Sequence, residues 1–174
     1  YSNDIYKIVE FLHVKPGKGP AFVRTKLKSV SSGQVIDNTF TAGHKIDDVR
    51  VENRKYQYLY NDGETFHFMN TEDFNQIEVN ESIIEGRKFL KEGTIVTIII
   101  NTENSDILSV EIPQSVILEI ISSDPGVKGN TATNATKIAV LETGVEINVP
   151  LFIDEGDKVK VDTEKGNYLE RIKD

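Results

Sequence analysis

The chain has no cysteine, which removes a disulfide framework and any Cys-based zinc site from consideration. Its three histidines, His13, His44 and His67, are scattered and show no ligand spacing of the His-Glu-x-x-His kind, so no metal site is expected. No apolar run reaches the length of about eighteen residues that a membrane span needs, and residues 1–10 lack a basic start followed by an apolar stretch. The expectation is a soluble, cytoplasmic protein with no membrane association. Two glycosylation sequons, Asn80-Glu81-Ser82 and Asn134-Ala135-Thr136, are read as chance, because no signal segment supports them. Asp and Glu number 28, yet none forms an isolated pair suited to acid–base work, and no nucleophile stands beside a base. No enzymatic activity and no cofactor are expected.

What is present is polarised charge. The formal net charge of -8 excludes a protein that coats nucleic acid indiscriminately, since phosphate neutralisation needs clustered Lys and Arg. Residues 1–50 nevertheless carry eight Lys and Arg against five Asp and Glu, a net of +3, whereas residues 51–174 carry twelve against twenty-three, a net of -11. Between Lys7 and Lys28 six basic residues face Glu10 alone, the densest positive segment of the chain.

β-branched and alternating runs separated by turn signals recur from end to end, the pattern of short antiparallel strands closing into small barrels. Strands are predicted at Ile8 to Val14, Ala21 to Val30 and Val35 to Phe40, forming a small SH3-like barrel. A closed sheet needs every edge paired, and the strand expected before Tyr1 is missing, so the chain is expected to lack its natural start. Tyr56 to Met69, with Asp62-Gly63 at its centre, carries a strong hairpin signal and opens a second barrel. Asn80 is placed to cap a short helix through Ile83, Ile84, Phe89 and Leu90 that stops at Gly93, before strands at Thr94 to Ile100 and Ile107 to Ile112. One helix among strands suits an OB-fold, and Thr136 to Leu141, Val145 to Ile153 and Lys158 to Asp162 predict another. The run Val116 to Ser122 belongs to the second barrel or its border. The fold class is therefore all-β: an SH3-like (KOW-like) barrel over 1–49, an OB-fold over 50–113 and a second OB-fold over 114–174. Tyr56, Tyr58 and Tyr60, spaced at period two beside a hairpin, are read as packing residues rather than base-stacking ones.

The chemistry concentrates at Lys15-Pro16-Gly17-Lys18-Gly19-Pro20, between two predicted strands. Two prolines limit φ, two glycines permit positive φ, and a single lysine stands between the glycines with nothing bulky to shield it. Such a loop lifts one flexible amine off the barrel while limiting the entropy that docking must remove. Behind it Arg24, Lys26 and Lys28 fall on alternate strand positions, one face that could grip RNA phosphates. Against this stands the plain alternative of a solvated surface turn. A phosphate-binding P-loop fits poorly, because Gly19 follows Lys18 where Ser or Thr is needed and a strand follows where a helix should start.

The segment Lys15 to Phe22 resembles the domain I tip of the elongation factor P family, with Val23 to Leu27 in step. Tyr58-Leu59-Tyr60-Asn61-Asp62-Gly63 resembles the opening of the family's domain II. Lys137-x-Ala139-x4-Gly144-x2-Ile147-x-Val149-Pro150-x2-Ile153-x2-Gly156 is similar to its domain III signature. The resemblance implies a monomeric, L-shaped, tRNA-like arrangement of the barrels. It further implies a translation factor that binds the 70S ribosome between the P and E sites and relieves stalls at consecutive prolines by positioning the P-site peptidyl-tRNA. Lys18 would be the residue that a lysine-modifying enzyme extends, reaching the CCA end of that tRNA. In domain III the resemblance implies contacts to rRNA or E-site nucleic acid from Gly129, Asn130 and Thr131, and from Tyr168 and Arg171. The chain departs from the family pattern at Asn130, where Asp is common, and at Ile138, where Pro is common. The same resemblance leaves room for a paralogous ribosome-bound or RNA-binding factor with another translational role, one that usually presents arginine at its tip; Lys18 counts against it.

Overall fold

Period-two alternation broken by Gly, Asn and Asp turns leaves room for strands and little else. The computed structural model describes residues 1–125 and 135–173 and contains three sheets. β1 (Tyr6–Val14), β2 (Phe22–Ser29) and β3 (Val35–Thr41) form an antiparallel sheet in the order β1-β2-β3. β4 (Val51–Asn61), β5 (Thr65–Asn70), β6 (Gln76–Asn80), β7 (Ile95–Asn101) and β8 (Ile107–Glu111) follow in the order β6-β5-β4-β7-β8. β9 (Ser115–Ser123), β10 (Thr136–Leu141), β11 (Glu146–Pro150), β12 (Lys158–Asp162) and β13 (Tyr168–Ile172) are ordered β11-β10-β9-β12-β13. This is the all-β class of three small barrels that the sequence predicts.

The chain divides into two compact units, Tyr1–Arg54 with Ile98–Val110, and Lys55–Thr97 with Glu111–Asp174. In the first, β2 alternates cleanly: Thr25, Leu27 and Ser29 are buried while Arg24 and Lys26 point to solvent. Asp4 ties the base of this sheet together by accepting from the Ser29 hydroxyl at 2.6 Å and the Ser31 hydroxyl at 3.0 Å. The Ser29 bond is the main reason its carboxyl sits below the ordinary carboxylate value. In the second unit, one core gathers Leu118, Ile120, Ala139, Leu141, Val149, Ile153, Val159 and Val161.

Four elements differ from the sequence reading. The run Val116 to Ser122 is not a border of the second barrel: β9 is the central strand of the third sheet, paired with both β10 and β12. The helix expected from Asn80 is two separate 3₁₀ turns, Glu81–Ile83 and Arg87–Phe89. Asn80 does cap the first, its side chain accepting from Ser82 N–H at 3.0 Å, but Gly86 adopts φ 72 and interrupts the helix. A Cβ there would meet Ile112 Cδ1 at 2.6 Å, which that side chain's flexible end can relieve, so the positive φ is the main reason for glycine. β6 and β13, five residues each, are strands that the sequence reading did not predict. Of the tyrosine row, Tyr56 and Tyr58 are buried as expected, but Tyr60 is 53 % exposed and stacks on His67 at 4.4 Å. A register shift between Tyr58 and Tyr60 breaks the alternation that would have turned it inward.

Lys137, the first residue of the domain III signature, is only 9 % exposed, and its ammonium donates to Asp154 Oδ1 and Ser123 Oγ, each at 3.2 Å. Removing Asp154 would leave a buried cation with one neutral partner. Asp154→Ala is expected to destabilise the protein by about 1–3 kcal/mol, and Lys137→Met in the same chain should recover part of that loss. Urea unfolding measures both, and an unchanged midpoint for Asp154→Ala would show that the pair contributes nothing.

Candidate functional site

β1 and β2 run antiparallel until Val14 meets Phe22, leaving seven residues, 15–21, to form the tip with Lys18 at its middle. Pro16 is half-buried against the loop, while Lys15, Gly17, Lys18, Gly19 and Pro20 are exposed. Of the two glycines only Gly19 uses positive φ, at 108°; a Cβ there would have ordinary room, so backbone conformation alone calls for glycine. The Lys18 ammonium makes no hydrogen bond or ion pair among the described residues. A flexible amine therefore stands on a loop that leaves the end of a three-stranded sheet.

The basic face behind the tip is less uniform than its spacing suggests. Arg24 is exposed and its guanidinium lies 5.5 Å from the centroid of the Phe22 ring, a cation–π contact. Lys26 is paired with Glu10 at 3.1 Å. The hydrogen bond to Glu10, then the charges of Glu10 and Asp37, raise its pKa. Lys28 is half-buried. The sequence reading noted Glu10 but did not pair it with Lys26, although the signal was there: continuing the hairpin back from Val14 opposite Phe22 puts Glu10 opposite Lys26. At the other end of the chain, Tyr168 packs against the third sheet's core. Arg171 donates to Asp157 Oδ1 at 2.6 Å. Gly129, Asn130 and Thr131 lie outside the described residues. Among those residues no group of His, Asp and Glu could hold a metal ion, and no helix is long and apolar enough to cross a membrane.

Three family descriptions match this arrangement in chain order. "Elongation factor P (EF-P) KOW-like domain" covers residues 1–46, "Elongation factor P (EF-P) OB domain" covers 51–110, and "Elongation factor P, C-terminal" covers 116–171. The chain belongs to the elongation factor P family.

It is 65 % identical over 174 residues to elongation factor P of Christiangramia forsetii, covering 100 % of this chain and 93 % of that protein. It is 64 % identical over 173 residues to elongation factor P of Flavobacterium psychrophilum, covering 99 % and 92 %. A solved structure titled eukaryotic translation initiation factor 5A from Methanococcus jannaschii aligns at TM-score 0.47 and 24 % identity over 60 % of this chain and 78 % of that one, too partial a likeness to carry an argument. Family membership makes the chain a translation elongation factor.

Proposed function

We propose that this elongation factor binds the ribosome between the P and E sites and speeds peptide-bond formation at consecutive prolines by holding the P-site peptidyl-tRNA in a reactive geometry. The observation that carries this reading is Lys18, exposed and without a partner among the described residues, at the middle of the β1–β2 loop. Proline is a constrained donor and acceptor, so the reacting groups reach alignment rarely, and fixing the tRNA end restores a proximity advantage of the kind that intramolecular reactions enjoy. The ribosome performs the chemistry. Lys18 contributes an ammonium and its hydrogen-bond donors beside the CCA end, and Arg24, exposed on the basic face, contributes its guanidinium to phosphate.

In the same reading a lysine-modifying enzyme extends Lys18, whose exposure gives such an enzyme access. The domain III contacts are carried by Gly129, Asn130 and Thr131, with Tyr168 and Arg171 on β13. Arg171 would exchange its Asp157 bond for a phosphate, and Tyr168 is half-buried, so these two are the weaker grips. The deciding measurement is translation of a reporter carrying three consecutive prolines, with and without the chain purified from its own cells. Added chain should relieve the stall, and a peptide map over residues 14–24 should show added mass on Lys18. A stall that persists overturns the proposal, and an unmodified Lys18 overturns the enzyme's part in it.

A further inference from the structure

Three hairpin turns of this protein are built on one plan. They are Asn70-Thr71-Glu72-Asp73-Phe74-Asn75 between β5 and β6, Asn101-Thr102-Glu103-Asn104-Ser105-Asp106 between β7 and β8, and Asp162-Thr163-Glu164-Lys165-Gly166-Asn167 between β12 and β13. In each, the first N–H donates to the sixth carbonyl, and the fifth N–H donates to the first carbonyl, all at 2.8–3.1 Å. The first side-chain oxygen also accepts from the third N–H, at 2.8, 2.9 and 3.0 Å in turn. The threonine hydroxyl reaches back to a carbonyl of an earlier segment: that of Lys55, Arg50 and Pro113 respectively. The fifth residue must take left-handed backbone for the plan to close.

That fifth position separates the three. Gly166 sits at φ 70 and Ser105 at φ 63, a residue without Cβ and one with a small polar side chain. Phe74 sits at φ 60, where a bulky side chain is strained. Its ring is 67 % exposed and makes no ring contact or cation–π contact among the described residues. The fold therefore gains neither burial nor a favourable backbone from phenylalanine at a place where its own sister turns use serine and glycine. The ring's gain lies outside the chain. Its neighbours indicate with what: Glu72 and Asp73 are both exposed, and the turn carries no cation. Two carboxylates beside the ring oppose the approach of RNA phosphates, while they complement Lys and Arg.

We propose that Phe74, flanked by Glu72 and Asp73, is a docking knob that inserts into an apolar recess on a basic protein surface. Resting on the ribosome-binding reading above, that surface belongs to a ribosomal protein rather than to rRNA. The aromatic supplies a rigid anchor of two χ angles, and the carboxylates supply charge complementarity at the rim.

The test uses the full chain and purified 70S ribosomes, with Lys18→Ala as a reference variant. Phe74→Gly relieves the backbone strain, so thermal melting should rise by about 2–4 °C, while affinity for ribosomes falls at least about fivefold. Glu72→Lys should weaken binding further, because it sets a cation against a basic surface. A photo-crosslinking side chain at position 74 should capture a ribosomal protein. Unchanged affinity for Phe74→Gly overturns the knob alone, and tighter binding by Glu72→Lys or a crosslink only to rRNA overturns the protein partner in favour of a stacked base. Failure of the unsubstituted chain to bind ribosomes overturns both this inference and the proposed function, a result distinct from the failure of one variant.

Discussion

Lys18→Ala is expected to slow synthesis through three consecutive prolines at least about tenfold relative to the unsubstituted chain, while leaving folding unchanged. The first half rests on the proposed function together with the tip's geometry: the ammonium sits at the middle of a seven-residue tip, beyond the last β1–β2 pair, and no other basic side chain of the tip is so placed. Lys15 stands three residues nearer β1, at the root of the loop. A tenfold loss corresponds to about 1.4 kcal/mol of lost transition-state alignment, a modest demand for one charged hydrogen bond. The second half follows because Lys18 has no partner among the described residues, so the substitution should shift stability by less than about 0.5 kcal/mol. Lys18→Arg keeps the charge but changes shape and donor geometry, and it should rescue only part of the rate. The measurement is a kinetic reporter assay paired with thermal melting. Full stall relief by Lys18→Ala would remove the tip from the mechanism.

Phe89→Ala is the substitution expected to damage the fold most. Phe89 ends a 3₁₀ turn that precedes β7, yet its ring is wholly buried in the core of the third sheet, among residues that include Leu118, Ile120, Leu141, Val149 and Val161. Truncation removes a large buried ring and leaves a cavity that the strands on either side, held by their ladders, cannot close. The expected cost is about 3–5 kcal/mol, which for a chain of this length lowers the melting temperature by roughly ten degrees or more. Phe89→Leu, closer in volume, should lose well under half as much. Calorimetry on the full chain measures both, and a fall of less than about 2 °C for Phe89→Ala would show that the ring's burial is not what holds this region together.

Much of the site was legible before any coordinates because it is local. Pro16, Gly17, Gly19 and Pro20 state the tip's backbone chemistry within six residues, and Lys18 stands between them. Glu10 was legible too, had the hairpin been paired residue by residue outward from the tip. The state of Arg171 was not, since its Asp157 partner depends on how β12 and β13 return past one another. The helix expected at Asn80 failed for a comparable reason. Apolar residues at Ile83, Ile84, Phe89 and Leu90 mimic a helical stripe, but Ile84 and Phe89 owe their burial to two separate turns hinged at Gly86. The matching turns at Asn70, Asn101 and Asp162 were written in the sequence as a short repeat, yet the strain at Phe74 became visible only with its φ.

The residue pattern by itself determined the all-β class and the exposed lysine tip, because period-two alternation, turn chemistry and Pro/Gly brackets act over a few neighbouring residues, and the motifs Lys15 to Phe22 and Lys137 to Gly156 carried the resemblance to the family. Tertiary structure alone decided that Phe89 seals the third core, that β9 is that sheet's centre, and that Phe74 strains outward. Those outcomes depend on which distant segments share a core and where ladder registers slip, and neither is a property of any short stretch of chain.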